Sequence, residues 1–106
     1  MYAEHDMDMA LTEYADHLRA DYGRWTNEAG IVRYDVEFKR GQKFIKVINK
    51  DEAGGRRVHS FVCIVAHDKW AVGDILKAAS WAAPAKNFKR GNVLQQDWSA
   101  TRWTGA

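Results

Sequence analysis

The sequence predicts an α+β fold in which an N-terminal amphipathic helix packs on a four-stranded antiparallel meander sheet, followed by an irregular C-terminal segment. Over residues 5–22, apolar residues recur every three or four positions, as on one face of a helix. Over residues 31–39, apolar and polar residues alternate, which is typical of a strand with one buried face. A chain of 106 residues is long enough for one core, so we expect a single domain over residues 1–94 and a tail over residues 95–106.

The helix is predicted over residues 5–22, with acidic residues outside its apolar stripe. Gly23 follows the stripe directly and is a natural helix stop. The helix therefore provides one apolar face that can cover a sheet. That stripe consists of Met7, Leu11, Tyr14, Ala15, Leu18 and Tyr22.

Four segments are predicted as strands, and sequential antiparallel strands usually lie next to one another. The first two form a hairpin whose register is open. A turn at residues 41–42 places Phe38 opposite Ile45 and Glu37 opposite Lys46, whereas a turn one residue earlier places Asp35 opposite Lys46. Both registers pair opposite charges and bury the same face. The strands are predicted over residues 31–39, 44–50, 58–66 and 75–80.

The third strand carries apolar residues on both faces, which predicts a central position in the sheet. The helix would cover one face, and the C-terminal segment with its tryptophans would cover the other. The two predicted faces are Val58, Val62 and Ile64 on one side and Phe61, Cys63 and Val65 on the other.

Charge is distributed unevenly along the chain. Residues 1–30 hold seven acidic and two basic residues, whereas residues 31–106 hold seven acidic and fourteen basic residues. This asymmetry indicates either neutralisation within the molecule or an anionic partner for the basic part. The single cysteine, the acidic start and the absence of a long apolar run predict a cytoplasmic protein without a disulfide framework or a membrane partner.

Neither metal binding nor catalysis is predicted, and no cofactor is expected. His59, Cys63 and His67 share one face of the third strand, but successive members would lie about 13 Å apart, too far for one metal ion. Ser60 and His59 are neighbours on a strand and are expected to point to opposite faces. Cys63 lies among apolar residues and is predicted to be a buried, unreactive thiol.

The strongest candidate contact surface lies in residues 73–94, where cations cluster near aromatic rings around Pro84, the only proline. Cations bind phosphates, and exposed rings stack on unpaired bases. Lys43 and Lys46 would extend the positive field from the hairpin. The predicted nucleic-acid or partner-binding residues are Lys77, Trp81, Lys86, Phe88, Lys89, Arg90, Arg56 and Arg57.

Two alternatives compete with this surface. Trp81 and Phe88 could instead seal the core, and for Trp81, just past a strand end, the core interpretation is favoured. The tail could bind a protein through Trp98, Arg102 and Trp103, since tryptophan is enriched at binding hot spots. Docking of the tail over the second face of the sheet is the favoured interpretation of these residues.

The same stretch contains a distinctive pattern: Gly-Asp-apolar-apolar-Lys, then Ala-Ser-aromatic, then Ala-Pro-Ala-Lys, then Arg-Gly-Asn-apolar, all within residues 73–93. In this pattern it resembles a group of short proteins of unknown function encoded by tailed bacteriophages. The resemblance covers roughly residues 31–94 and omits the helix and the tail. It implies a phage origin and a shared fold, but no established activity.

Together, these observations predict a non-enzymatic phage accessory protein of the bacterial host cytoplasm. It would bind nucleic acid, either single-stranded or with weak sequence selectivity, through its basic and aromatic surface. The alternative is a phage-encoded inhibitor or modulator that binds a host bacterial protein.

Overall fold

The computed structural model describes residues 4–26, 35–50, 55–98, 101–102 and 105. Within this part of the chain, one helix packs on a sheet of five antiparallel strands in the order β1-β2-β3-β4-β5. The α+β meander is therefore confirmed, with one strand more than predicted. The elements are α1 (Glu4–Thr26), β1 (Asp35–Arg40), β2 (Phe44–Lys50), β3 (Arg56–Cys63), β4 (Asp74–Lys77), β5 (Gly91–Asn92) and a short 3-10 helix (Val93–Gln95).

Helix α1 covers one face of the sheet with the predicted apolar stripe. Its buried residues pack against side chains from all five strands or their ends, and Tyr14 and Leu18 are fully buried. The predicted stop at Gly23 is wrong, because α1 continues to Thr26. A glycine costs a helix about 1 kcal/mol, which packing can offset. The sheet side of this first core is formed by Val36, Ile45, Val47, Val62, Ile75 and Val93.

The outer side of α1 is acidic. Asp6, Asp8, Glu13 and Asp16 of this helix are exposed. None of the helices in the described part of the chain is long and apolar enough to cross a membrane.

The β1–β2 hairpin has a register that neither prediction gave. Phe38 lies opposite Val47, two positions from the first predicted pairing and four from the second. The amide of Gly41 donates to the carbonyl of Phe44 at 2.8 Å, so the turn residues are Gln42 and Lys43. Both predicted registers differ from the observed one by an even number of residues. The buried face of each strand is therefore the predicted one. Residues 31–34 of the predicted first strand lie outside the described residues.

Strand β3 contains a β-bulge at His59. Val47 of β2 lies opposite Ser60, and the next residue, Ile48, lies opposite Val58, so His59 is an extra residue in β3. The bulge reverses the alternation, and Val58 packs with the Phe61 side rather than with Val62 as predicted. The strand also ends at Cys63, earlier than predicted.

Trp70, and no described residue of the C-terminal tail, covers part of the second face of the sheet. A tight turn joins His67 to Trp70, with Asp68 in the left-handed conformation at φ 51°. Aspartate tolerates this conformation well, which makes the turn accessible to this sequence. The turn places Trp70 against Phe61, Cys63 and Leu76 in a second, smaller core.

The tail contacts α1 instead. The ring of Trp98 stacks on His17, with centroids 5.4 Å apart, and lies 6.1 Å from the ring of Tyr14. For the described residues of the tail, the predicted place over the second face of the sheet is therefore wrong. The part of that face that Trp70 does not cover carries the residues described next.

Candidate nucleic-acid interface

A tight turn after β4 carries Trp81 to the surface. We call residues 79–83 the corner loop. Ser80 shapes it, because its Oγ accepts hydrogen bonds from the amides of Ala82 and Ala83 at 3.3 and 3.2 Å, and its own amide donates to the Ala83 carbonyl at 3.1 Å. Trp81 at the tip of this loop is 48% exposed, so the favoured interpretation of Trp81 as a core residue is wrong.

Two cations from the second face of the sheet lie close to the Trp81 ring. Lys46 Nζ of β2 lies 4.5 Å from the ring centroid, and the guanidinium carbon of Arg56 of β3 lies 5.8 Å from it. Cations at these distances are attracted to the electron-rich face of an indole. Arg57 is exposed and lines the cleft beside Trp81. The corner loop therefore brings an aromatic ring to a positively charged part of the sheet.

The positive charge extends across the second face around Trp81. Glu37 on this face forms ion pairs with Lys50 at 3.6 Å and with Arg56 at 2.6 Å. Lys39, Lys43 and Lys46 also lie in this region, and among the residues that the structure describes no carboxylate forms an ion pair with them. They can therefore bind an anionic ligand without breaking an existing pair. We call the basic face the set formed by Trp81, Lys39, Lys43, Lys46, Lys50 and Arg56.

The remaining predicted cations lie elsewhere. Within the described residues, only Lys46 and Arg56 hold their charge over Trp81. Lys77 lies opposite Ser60, which faces α1, so Lys77 points to the helix side of the sheet. Lys89 pairs with the buried carboxylate of Asp74 at 3.6 Å. Sequence proximity to Trp81 therefore did not identify the cations that surround it.

Phe88 and Arg90 form a second, separate pair of an aromatic ring and a cation. Phe88 is 54% exposed, and the guanidinium carbon of Arg90 lies 4.1 Å from its ring centroid. Lys69 donates to the carbonyl of Asn87 at 2.6 Å and ties this loop to the turn that carries Trp70. Lys86, between the two clusters in sequence, is exposed. The predicted surface is thus divided into two parts.

Much of the distinctive sequence pattern has a structural role. Asn92 Nδ2 donates to Asp74 Oδ1 at 2.9 Å and to the Val72 carbonyl at 3.1 Å, and its Oδ1 accepts from the amides of Leu94 and Gln95. Asp74 and Asn92 are both almost fully buried. The Gly-Asp and Gly-Asn parts of the pattern therefore hold β4 to β5, and the Ser-Trp part forms the exposed corner.

A buried chain of hydrogen bonds was missed by the sequence analysis. Because His59 is a bulge residue, it contacts its neighbour Ser60, with Nδ1 2.8 Å from Ser60 Oγ, contrary to the prediction of opposite faces. The hydroxyl of Tyr14 lies 2.9 Å from the same Oγ. His59 Nε2 donates to the Arg102 carbonyl at 2.5 Å, so Nδ1 is the acceptor for the Ser60 hydroxyl. Ser60 and Tyr14 are fully buried. The hydrogen bond from His59 to Arg102 attaches the tail to β3.

We expect the free energy of unfolding to fall by about 2 to 3 kcal/mol between pH 7 and pH 4.5 because of His59. Burial lowers the pKa of His59 from its ordinary 6.5 to about 4. Between these values the unfolded chain binds a proton that the folded chain does not. The contribution is therefore complete above pH 6.5 and is lost as the pH falls towards 4. Urea unfolding at a series of pH values measures it.

The matched variants for this experiment are His59→Gln and His17→Gln. The first removes the titrating group, so its unfolding free energy should depend less on pH. The second removes another histidine that contacts the tail. A pH dependence that is the same in His59→Gln as in the wild type would contradict the assignment.

Cys63 and His67 come closer than the strand geometry predicted, because β3 ends at Cys63 and the chain turns. Sγ of Cys63 lies 3.8 Å from Nδ1 of His67, and both groups contact the carbonyl of Val65. Burial raises the pKa of the Cys63 thiol, which keeps it protonated and unreactive. Within the described residues, no three His, Cys, Asp or Glu side chains are grouped so that they could hold a metal ion.

Two residues of the alternative protein-binding surface, Trp98 and Arg102, are described. Trp98 is partly buried against α1, and Arg102 is exposed while its carbonyl binds His59. Trp103 lies outside the described residues.

The chain belongs to a family of unknown function, DUF7717, whose model matches residues 2–105. This match includes α1 and most of the tail, which the resemblance to phage proteins left out. No curated protein and no solved structure matches the chain. Family membership assigns no activity, so the function must be argued from the geometry of the basic face.

Proposed function

We propose that this family member is a non-enzymatic phage accessory protein of the bacterial cytoplasm, which binds single-stranded nucleic acid with weak sequence selectivity through the basic face. The observation that carries the proposal is the exposed ring of Trp81 with the charges of Lys46 and Arg56 within 6 Å of its centroid. The phage origin is supported by the sequence pattern of residues 73–93.

A preference for unpaired strands follows from the chemistry of Trp81. An indole offers a flat π surface, and bases within a duplex already stack on one another. An unpaired base can stack on the indole, whichever base it is, so sequence selectivity is weak. Lys46 Nζ, 4.5 Å from the ring centroid, lies where a phosphate next to a stacked base can reach it. Ring and cations therefore recognise different parts of one nucleotide.

We expect Trp81→Ala to weaken binding to an oligothymidylate of about eight nucleotides by roughly five- to a hundred-fold, the range for loss of one stacked base. Wild-type affinity should fall steeply between about 50 and 200 mM salt, because bound phosphates release counterions. Fluorescence anisotropy of a labelled oligonucleotide measures both effects.

Two matched controls make this test specific. Phe88→Ala removes another exposed ring beside a cation, outside the basic face, and should keep wild-type affinity. Lys46→Ala should reduce the slope of log affinity against log salt by about 0.7, whereas Lys77→Ala on the helix side should not. The proposal is wrong if the wild type does not bind, or if binding is insensitive to salt.

The alternative of a host protein partner has less support, because Trp98 packs against α1. Affinity capture from nuclease-treated host lysate separates the two functions. A protein recovered by the full chain, combined with no affinity for oligonucleotides, would replace nucleic-acid binding by protein binding.

A further inference from the structure

A groove of about 270 Å³ lies next to Trp81 on the second face of the sheet. Phe44 and Phe61 line its apolar part, with their rings edge to face at 81° and 6.2 Å between centroids. Ala82 of the corner loop and the adjacent Pro84 line it from the other side. The volume is close to the lower end of the range for small-ligand pockets, roughly 300–1,000 Å³. This size suits one flat ligand and not a folded partner.

The polar lining of the groove is positively charged. Four basic residues line it, and none of its lining residues is acidic. An apolar surface with cations beside it complements a nucleotide, which combines a flat base with a phosphate. Lys46 lines this groove and also lies over the Trp81 ring, so its charge is close to both the groove and the ring. The basic residues are Lys39, Arg40, Lys43 and Lys46.

We infer that the groove is a second base subsite, so that the protein holds two consecutive unpaired nucleotides. One base stacks on Trp81, the next lies in the groove against the partly exposed ring of Phe44, and the phosphate between them binds Lys46. The inference rests on the proposed function and adds the footprint of the ligand. Both bases must leave their stack to occupy these positions, so a duplex cannot bind in this way.

Photocrosslinking tests the footprint directly. An oligothymidylate that contains 5-iododeoxyuridine is bound to the full chain and the complex is irradiated. The crosslinked peptides are then identified after trypsin digestion. The groove rings lie in tryptic peptides 44–46 and 58–69, and Trp81 lies in peptide 78–86. We expect adducts in the Trp81 peptide and in at least one groove peptide.

A pair of loop variants provides the second measurement. Ala82→Leu places a larger side chain in the groove, whereas Ala83→Leu changes an exposed neighbour that does not line it. We expect Ala82→Leu to weaken binding about tenfold and to remove the groove adduct while the Trp81 adduct persists. Ala83→Leu should behave as the wild type. Neither side chain is buried, so both variants should fold.

The possible failures are distinguishable. Binding with an adduct only at Trp81, or equal affinities of the two leucine variants, overturns the second subsite and leaves the proposed function intact. Absence of any oligonucleotide binding overturns both. Binding of an acidic, tyrosine-containing peptide polymer without oligonucleotide binding would assign the groove to an acidic protein partner instead.

Discussion

Gly91→Ala should lower the free energy of unfolding by about 3 to 5 kcal/mol, since backbone strain and overpacking each cost roughly 1 to 3 kcal/mol. Gly91 has a φ of 153°, and a Cβ there would lie 2.0 Å from the carbonyl oxygen of Asp97. That oxygen belongs to the backbone and accepts the amide of Asn92 at 2.8 Å. It cannot move aside without breaking the pairing that closes the 3-10 turn.

The matched control is Gly105→Ala. Gly105 has nearly the same φ, 155°, but no atom of the described residues beyond its chain neighbours lies within 4 Å of the position that a Cβ would take there. We expect a loss of no more than about 2 kcal/mol in this variant, from the backbone conformation alone. Urea unfolding followed by tryptophan fluorescence measures both variants. Equal losses would show that conformation, and not the close approach of Asp97, requires the glycine at position 91.

Asn92→Asp should also destabilise the fold by about 3 to 5 kcal/mol near pH 7. The substitution keeps the shape of the side chain and removes the amide that donates to Asp74 Oδ1 and to the Val72 carbonyl. It also places two carboxylates at hydrogen-bond distance in a buried site, since Asp74 is 2% exposed and Asn92 is 4% exposed. Like charges so close oppose ionisation of both groups.

The double variant Asp74→Asn with Asn92→Asp distinguishes repulsion from a general packing defect. In the double variant, position 74 carries the amide and position 92 carries the carboxylate, so the site again holds one of each. We therefore expect it to recover at least half of the unfolding free energy that the single variant loses. Lowering the pH towards 5 should partly restore the single variant, because protonation of either carboxyl provides a donor. If neither the exchange nor acid restores stability, the two side chains do not act as a pair.

Periodicity predicted the elements of this fold well and their pairing poorly. The apolar stripe from Met7 to Tyr22 and the alternation in the first strands identified the helix and its side of the sheet. A two-residue period is unchanged by any even shift, so it could not select the observed pairing of Phe38 with Val47. The bulge at His59 adds a residue to β3, and the strand contains no glycine or proline that would indicate a bulge.

The candidate site was predicted in part. Trp81, Arg56 and Lys46 were all predicted as part of the positive surface, but Trp81 was expected to lie beside Lys77 and the cations that follow it in the chain. The corner loop folds back over β2 and β3, so the cations that contact Trp81 come from strands 25 to 35 residues earlier, Lys46 and Arg56. Such a contact depends on the reversal of the chain at Ser80, which local composition does not reveal.

The exposed carboxylates of α1 and the lysines of the basic face lie on opposite sides of the sheet. Among the described residues, a cluster of negative charge therefore lies on one side of the sheet and a cluster of positive charge on the other. In the proposed binding of nucleic acid, the field of the polyanion would turn the Trp81 side towards the strand before contact. Orientation of this kind raises the rate of productive encounters at low ionic strength.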